Sequence, residues 1–212
     1  MKYIIILFFF ATTSGLAQSP VIDIHSTHDY GDIPNAYYKD IENFYGQFVG
    51  TWVFSQNNRT LKVVFQKKEM FYDNIPPVSY YSDFLVGEFQ YIENNIELAN
   101  TLSNITINHS NINDYNIIGI SKIDALGFPP CEDCPLTSKR LSMDFDEPAN
   151  DDAGLAANFV IRRFVENGVE KLKVQFIMTS GPFGSKKDNF NVPSVARKHT
   201  IPYGDYTLIK QL

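Results

Sequence analysis

The chain has 212 residues with 24 acidic and 18 basic side chains, which gives a formal charge of −6 at pH 7. A net negative charge repels phosphate groups, so nucleic acid and anionic lipid surfaces are poor partners. The length suits one domain with a substantial core, because domains usually hold roughly 100–200 residues.

Residues 1–17 have the pattern of a secretory signal peptide. A basic Lys2 precedes an apolar run over 4–10, and the small residues Gly15 and Ala17 suit a signal peptidase, so cleavage is expected after Ala17. The run is shorter than the roughly 20 residues that span a bilayer, and no later segment predicts a membrane span. The pattern predicts a periplasmic or secreted protein, whose mature chain carries 17 basic and 24 acidic groups, 17 − 24 = −7.

Residues 18–35 are polar, contain proline and show no periodicity, which indicates a linker or a loosely attached N-terminal arm. His25 and His28 lie in it, close in sequence to Asp23, Asp29 and Asp32. A helix would bring the two imidazoles to one ion, but the arm has no helical pattern. A solvated, mobile arm is therefore favoured over a metal site.

The next segment, 37–48, has the spacing of a short amphipathic helix. Its apolar residues recur three and four positions apart, which places them on one helical face. They are Tyr38, Ile41, Phe44, Tyr45 and Phe48.

From Thr51 the apolar period changes to two, which is typical of strands with one buried face. The clearest alternation runs over 61–65, 140–145 and 171–178. The turns Glu93-Asn94-Asn95 and Glu166-Asn167-Gly168 indicate hairpins, because Asn and Gly accept the positive φ of tight turns. The other strand candidates are 51–56, 83–92, 95–102, 115–122, 157–165 and 205–211.

These strands predict a mainly β fold, a single antiparallel up-and-down barrel that follows the short helix within a domain over 36–212. Closure into a barrel removes the unpaired edge strands that promote aggregation. The aromatic content of 14% supplies large side chains for the interior. Segments 124–138, 146–156 and 180–204 are predicted surface loops.

The loop 124–138 holds both cysteines, Cys131 and Cys134. In an oxidising compartment a disulfide between them is expected. A redox-active pair is disfavoured, because Glu132 and Asp133 between the thiols oppose thiolate formation. A zinc site is disfavoured too, since a second pair of ligands at zinc spacing is missing.

With its helix, its Gly50-Thr51-Trp52 triplet and the strands that follow, the chain resembles the calycin group, which includes lipocalins and fatty-acid-binding proteins. In that group the tryptophan plugs one end of the barrel, so the resemblance implies a structural role for Trp52. Lipocalins usually stack an arginine on this tryptophan, and Lys210 stands in its place here. The stretch from Tyr38 to Trp52, with a closing segment 206–210, is also similar to an uncharacterised family of exported proteins from Bacteroidota.

The resemblance implies an open barrel end and a small hydrophobic molecule as ligand. The ligand would contact the inward rows of two strands. These rows are Leu61, Val63, Phe65, Leu172, Val174, Phe176 and Met178. A filled barrel needs the same apolar positions. The alternative is therefore a protein-interaction or inhibitor barrel that uses its long loops to contact a cell-surface protein.

Enzymatic chemistry has weak support. The hydrolase motifs Gly-x-Ser-x-Gly and His-Glu-x-x-His are missing, although paired carboxylates of a glycosidase would show no sequence motif. No cofactor and no metal are predicted. One acidic group offers oxygen ligands for calcium but lacks the pattern of an EF-hand, so a solvated loop is favoured; it comprises Asp144, Asp146, Glu147, Asp151 and Asp152.

Overall fold

The computed structural model describes residues 19–26, 30–75, 77–148, 152–181, 184–185 and 198–211. Within these residues the chain is almost entirely β structure. The strands are β1 (Val21–Asp23), β2 (Tyr37–Lys39), β3 (Gly50–Gln56), β4 (Arg59–Ile75), β5 (Val78–Glu93), β6 (Ile96–Asn100), β7 (Ile117–Asp124), β8 (Lys139–Phe145), β9 (Asp152–Ala153), β10 (Ala156–Glu166), β11 (Val169–Ser180), β12 (Gly184–Ser185) and β13 (Gly204–Lys210). Single 3₁₀ turns cover Tyr45–Phe48, Leu102–Thr106 and Ile112–Asp114.

Eight of the strands form a closed antiparallel barrel, as the alternation predicted. Their order around the barrel is β3, β4, β5, β7, β8, β10, β11 and β13, and β13 pairs with β3 to close the ring. The junction of β5 with β7 runs from Leu85 opposite Gly119 to Gly87 opposite Ile117. Each predicted strand overlaps an observed one. Strands β1, β2 and β6 extend the sheet outside the ring.

Asparagine turns set the register of three hairpins. The residue pairs Asn57-Asn58, Asn94-Asn95 and Asn167-Gly168 all have positive φ, between 51° and 77°. Two-residue turns of this kind match the twist of antiparallel strands. The two hairpins predicted at Asn94 and Asn167 are confirmed.

The barrel interior is packed with aromatic rings. The ring centroid of Phe145 lies 4.9 Å from that of Phe89, 5.1 Å from Phe159 and 4.9 Å from Phe176. These separations suit favourable aromatic pairs. Glycine is required where a neighbouring ring comes closest, because a Cβ on Gly87 would lie 2.6 Å from the Phe65 ring.

The predicted helix over 37–48 is wrong, since the described residues contain no α-helix. Residues Tyr37–Lys39 form β2, which pairs in parallel with β5, and Asn43 has a φ of 53°, which interrupts a right-handed helix. The Asp40 carboxylate instead accepts the backbone N–H groups of Phe44 and Tyr45 at 2.7 and 2.9 Å. Ile41, predicted to be buried, is 57% exposed.

Two segments cover the outer wall of the barrel. The connection 101–116 packs Ile105, Ile112 and Tyr115 onto outward residues of β5, including Phe84. The arm before β2 packs against the part of the β4–β5 hairpin that extends past the barrel. The arm was expected to be loosely attached, and in its described part this is wrong.

Candidate functional site

Six of the seven residues predicted to contact an apolar ligand lie inside the barrel. Their exposed fractions are 0–1%, and they are Leu61, Val63, Phe65, Leu172, Val174 and Phe176. A side chain that faces a cavity able to hold water keeps some accessible surface. These six residues therefore line no cavity large enough for a water molecule, and a ligand among them would have to displace core side chains.

Met178, the seventh predicted ligand contact, does not face the interior. Its side chain is 47% exposed. The pairing of β11 with β13 ends at Phe176 opposite Gly204, so Met178 lies beyond the closed part of the wall. This assignment is corrected.

Trp52 lies fully buried behind the 3₁₀ turn Tyr45–Phe48. Its Nε1 donates to the carbonyl of Phe48 at 2.7 Å, which satisfies its only polar group. The Nζ atom of Lys210 lies 5.4 Å from the ring centroid of Trp52 and 2.8 Å from Oε2 of Glu170. The Lys210 ammonium group thus lies over the Trp52 ring and is paired with a carboxylate.

The segment 124–138, here called the braced loop, folds back on the outer wall. Its cysteines Cys131 and Cys134 are joined by a disulfide. Asp133 forms an ion pair with Lys173 of β11, with 2.7 Å between Nζ and Oδ2. These cross-links hold the loop against the barrel.

Arg140, a buried residue of β8, stabilises the braced loop from the side that faces the barrel. It is 1% exposed, and its guanidinium donates to loop carbonyls at 2.6–3.2 Å. These bonds satisfy the two terminal nitrogens of a buried guanidinium, which would otherwise be costly, and so fix the path of the loop. The carbonyls belong to Asp124, Ala125, Gly127 and Pro129.

The braced loop exposes three large apolar side chains. Leu126, Phe128 and Leu136 are 79%, 74% and 77% exposed. Single exposed apolar residues are ordinary, but three on one fixed loop are typical of a contact surface. The sequence contained this signal, namely apolar residues within a Pro- and Gly-rich loop, and alternation analysis overlooks it.

A buried carboxylate cluster joins the arm to the barrel. Asp40 and Asp83 are 2% and 0% exposed, and Lys67 lies between them, 3.3 Å from Asp40 and 3.7 Å from Asp83. Burial alone would raise the pKa of Asp40, but the N–H groups of Tyr45 and Phe44 and the Lys67 charge together lower it. The cluster is structural, because its oxygens are occupied by protein donors.

The family model described as "Family of unknown function (DUF6705)" matches residues 1–211. The chain belongs to the DUF6705 family. No curated protein and no solved structure matches it.

In the described part of this DUF6705 chain, one group of His, Cys, Asp and Glu side chains has metal-binding proximity, namely Cys131, Asp133 and Cys134. Its two sulfurs are bonded to each other. His28 and Asp151 lie outside the described residues. Glu147, from the acidic group, is 3% exposed and accepts the N–H of Thr200 at 2.9 Å. Among the same described residues, no helix is long and apolar enough to cross a membrane.

His25 was expected in a solvated arm, but the structure buries its ring against Asp40. Its Nε2 lies 3.1 Å from Oδ1 of Asp40, and its side chain is 3% exposed. Burial lowers the pKa of His25 despite the nearby carboxylate. The neutral imidazole therefore donates a hydrogen bond to Asp40.

We expect the wild-type protein to lose stability as the pH falls below about 6.5, the pKa of an unfolded histidine. A lowered folded pKa means that the unfolded chain binds the proton first, so acid favours unfolding. His25→Gln keeps a donor for Asp40 and removes this titration. Urea unfolding between pH 7.5 and 5 should show that the free energy of unfolding falls more steeply with pH in the wild type than in His25→Gln. Equal pH dependence in the two proteins would contradict a lowered pKa for His25.

Proposed function

We propose that the protein is an exported interaction module, in which a filled barrel presents the braced loop to a partner protein. The observation that carries this proposal is the exposure of Leu126, Phe128 and Leu136 on a loop fixed by Arg140. Rigid scaffolds commonly carry recognition on such loops.

The packed interior supports a scaffold over a carrier. A carrier needs a cavity that buries most of its ligand. The inward residues of β4 and β11 are already in contact with other core side chains. This packing supports the second of the two functions expected from the sequence, a filled barrel that acts through its loops.

The exposed side chains supply the binding free energy. Full burial of one Leu or Phe side chain is worth roughly 1.5–3 kcal/mol. Because the disulfide and Arg140 already order the loop, little conformational entropy is lost on binding. The loop is thus suited to insert three apolar anchors into a groove of a partner.

Charge favours a protein partner over a lipid surface. Two carboxylates of the braced loop, Asp124 and Asp133, are paired with Lys139 and Lys173, while the whole chain has a formal charge of −6. The net negative charge of the chain opposes binding to anionic lipid headgroups, whereas an apolar groove of a protein partner carries no such repulsion.

Site-specific photo-crosslinking in the native host tests this proposal. We expect a crosslinking residue at Phe128 and one at Leu136 to trap the same protein. Excess purified wild-type protein should compete for the adduct, whereas purified Phe128→Ser should not. A matched crosslinker at Ile96, which is 62% exposed on β6, should not trap it.

Three outcomes would contradict the proposal. The first is the same set of adducts from Ile96 as from the braced loop. The second is competition by Phe128→Ser that equals competition by the wild type. The third is flotation of the purified protein with anionic vesicles that is lost in Phe128→Ser, which would assign the loop to membranes instead.

A further inference from the structure

A cleft of about 590 Å³ lies on the outer wall of the barrel, far along the sheet from the braced loop. Its walls are the extended β4–β5 hairpin, the turn Ile112–Asp114 and the outer face of β7 and β8, where Ile118 lies opposite Asp144. The volume is in the range of small-molecule sites, roughly 300–1,000 Å³.

The floor of the cleft is apolar and aromatic. Phe84, Ile112 and Tyr80 are 3%, 6% and 4% exposed, so they form a packed base. A ligand with an apolar body can therefore bury that body here.

The polar groups of the cleft are acidic or neutral. Among the described residues that line it there are two carboxylates, Asp73 and Asp144, and no Lys, Arg or His. Asp73 accepts a hydrogen bond from Tyr80 Oη at 3.2 Å, which orients it without neutralising it. Asp144 is exposed on the outer face of β8, and its partial desolvation by the neighbouring walls raises its pKa, as expected for a carboxylate without a cationic neighbour.

We propose that this cleft binds an organic ammonium compound with an apolar body. The ammonium group would lie between Asp73 and Asp144, where the two carboxylates attract a cation. The apolar body would lie on Phe84 and Ile112. An anionic ligand would be repelled, and a neutral polyol would leave both charges uncompensated.

The test is a titration of the purified full-length mature protein with phenethylamine, with 2-phenylethanol as a neutral probe of the same shape. Chemical shifts of the backbone amides of Ile112 and Ile118 report on the cleft. We expect the amine to bind at least about tenfold more tightly than the alcohol. Asp144→Asn should weaken amine binding by a similar factor, while Asp205→Asn, an exposed acid on β13, should not change it.

Equal affinity for the amine and the alcohol would overturn the proposal. So would saturable binding of a methyl glucoside together with no response to the amine, which would identify a neutral polyol site. Asp73→Asn provides a second variant that removes charge, and a normal melting temperature for each variant shows that lost binding is not lost folding. Retained amine affinity in both variants would also overturn it.

Discussion

Replacement of Phe176 with alanine is expected to lower the free energy of unfolding by about 3–5 kcal/mol, which is the usual cost of removing a buried aromatic ring. Phe176 is fully buried, and its ring centroid lies 4.6 Å from that of Phe159 and 4.9 Å from that of Phe145. The variant loses both the apolar burial and the packing of these neighbours. Equilibrium unfolding in urea measures the difference.

Met178→Ala is the matched control on the same strand. Because Met178 is 47% exposed, this change should alter the free energy of unfolding by no more than about 0.5–1 kcal/mol. In a ligand-carrying barrel the opposite pattern is expected. Phe176 would line an open cavity, and its truncation would lower the free energy of unfolding only slightly. A cost below about 1 kcal/mol for Phe176→Ala would therefore contradict a filled interior.

Replacement of Asp40 with alanine is also expected to lower the free energy of unfolding, by about 3–5 kcal/mol. The change leaves the N–H groups of Phe44 and Tyr45 without their acceptor, and each buried unsatisfied donor costs roughly 1–3 kcal/mol. It also removes a partner of Lys67, and the loss of one member of a buried ion pair is strongly destabilising.

Asp124→Ala provides the comparison for Asp40, because Asp124 pairs with Lys139 on the surface. Exposed ion pairs contribute roughly 0–1 kcal/mol, so this variant should unfold close to the wild type. Limited proteolysis should cleave Asp40→Ala first between the arm and β3. Similar unfolding midpoints for the two variants would show that the cluster does not hold the arm.

The barrel could be predicted because the alternation of apolar residues is local. Strands such as β8 and β11 bury every second residue, and that period is visible in the sequence itself. The segment 37–48 has the apolar spacing of a helix but forms none, so its spacing is coincidental. Its path is set by Asp40, which binds the backbone of Phe44 and Tyr45, and by Asp83, which accepts the N–H of Asp40 at 3.0 Å. A hydrogen bond between the backbone of Asp40 and the distant carboxylate of Asp83 leaves no periodic signal.

The candidate surfaces depended on features that the sequence does not show. Inward positions such as Leu61 and Val174 are apolar in a hollow barrel and in a filled one, so the sequence does not distinguish the two. Arg140 looked like an outward strand residue, and only the fold brings its guanidinium under the loop carbonyls. The cleft near Asp144 is assembled from residues that are far apart in the sequence, between Tyr30 and Asp144, so no local motif marks it.

The central claim, that the barrel is solid and its functional surfaces lie outside, is tested most directly by crystals of the wild type and of Phe176→Ala held under xenon pressure. Xenon occupies empty apolar cavities inside proteins. We expect no xenon among the inward residues of the wild type, and a bound xenon atom beside Phe145 and Phe159 in Phe176→Ala. Xenon inside the wild-type barrel would contradict the central claim.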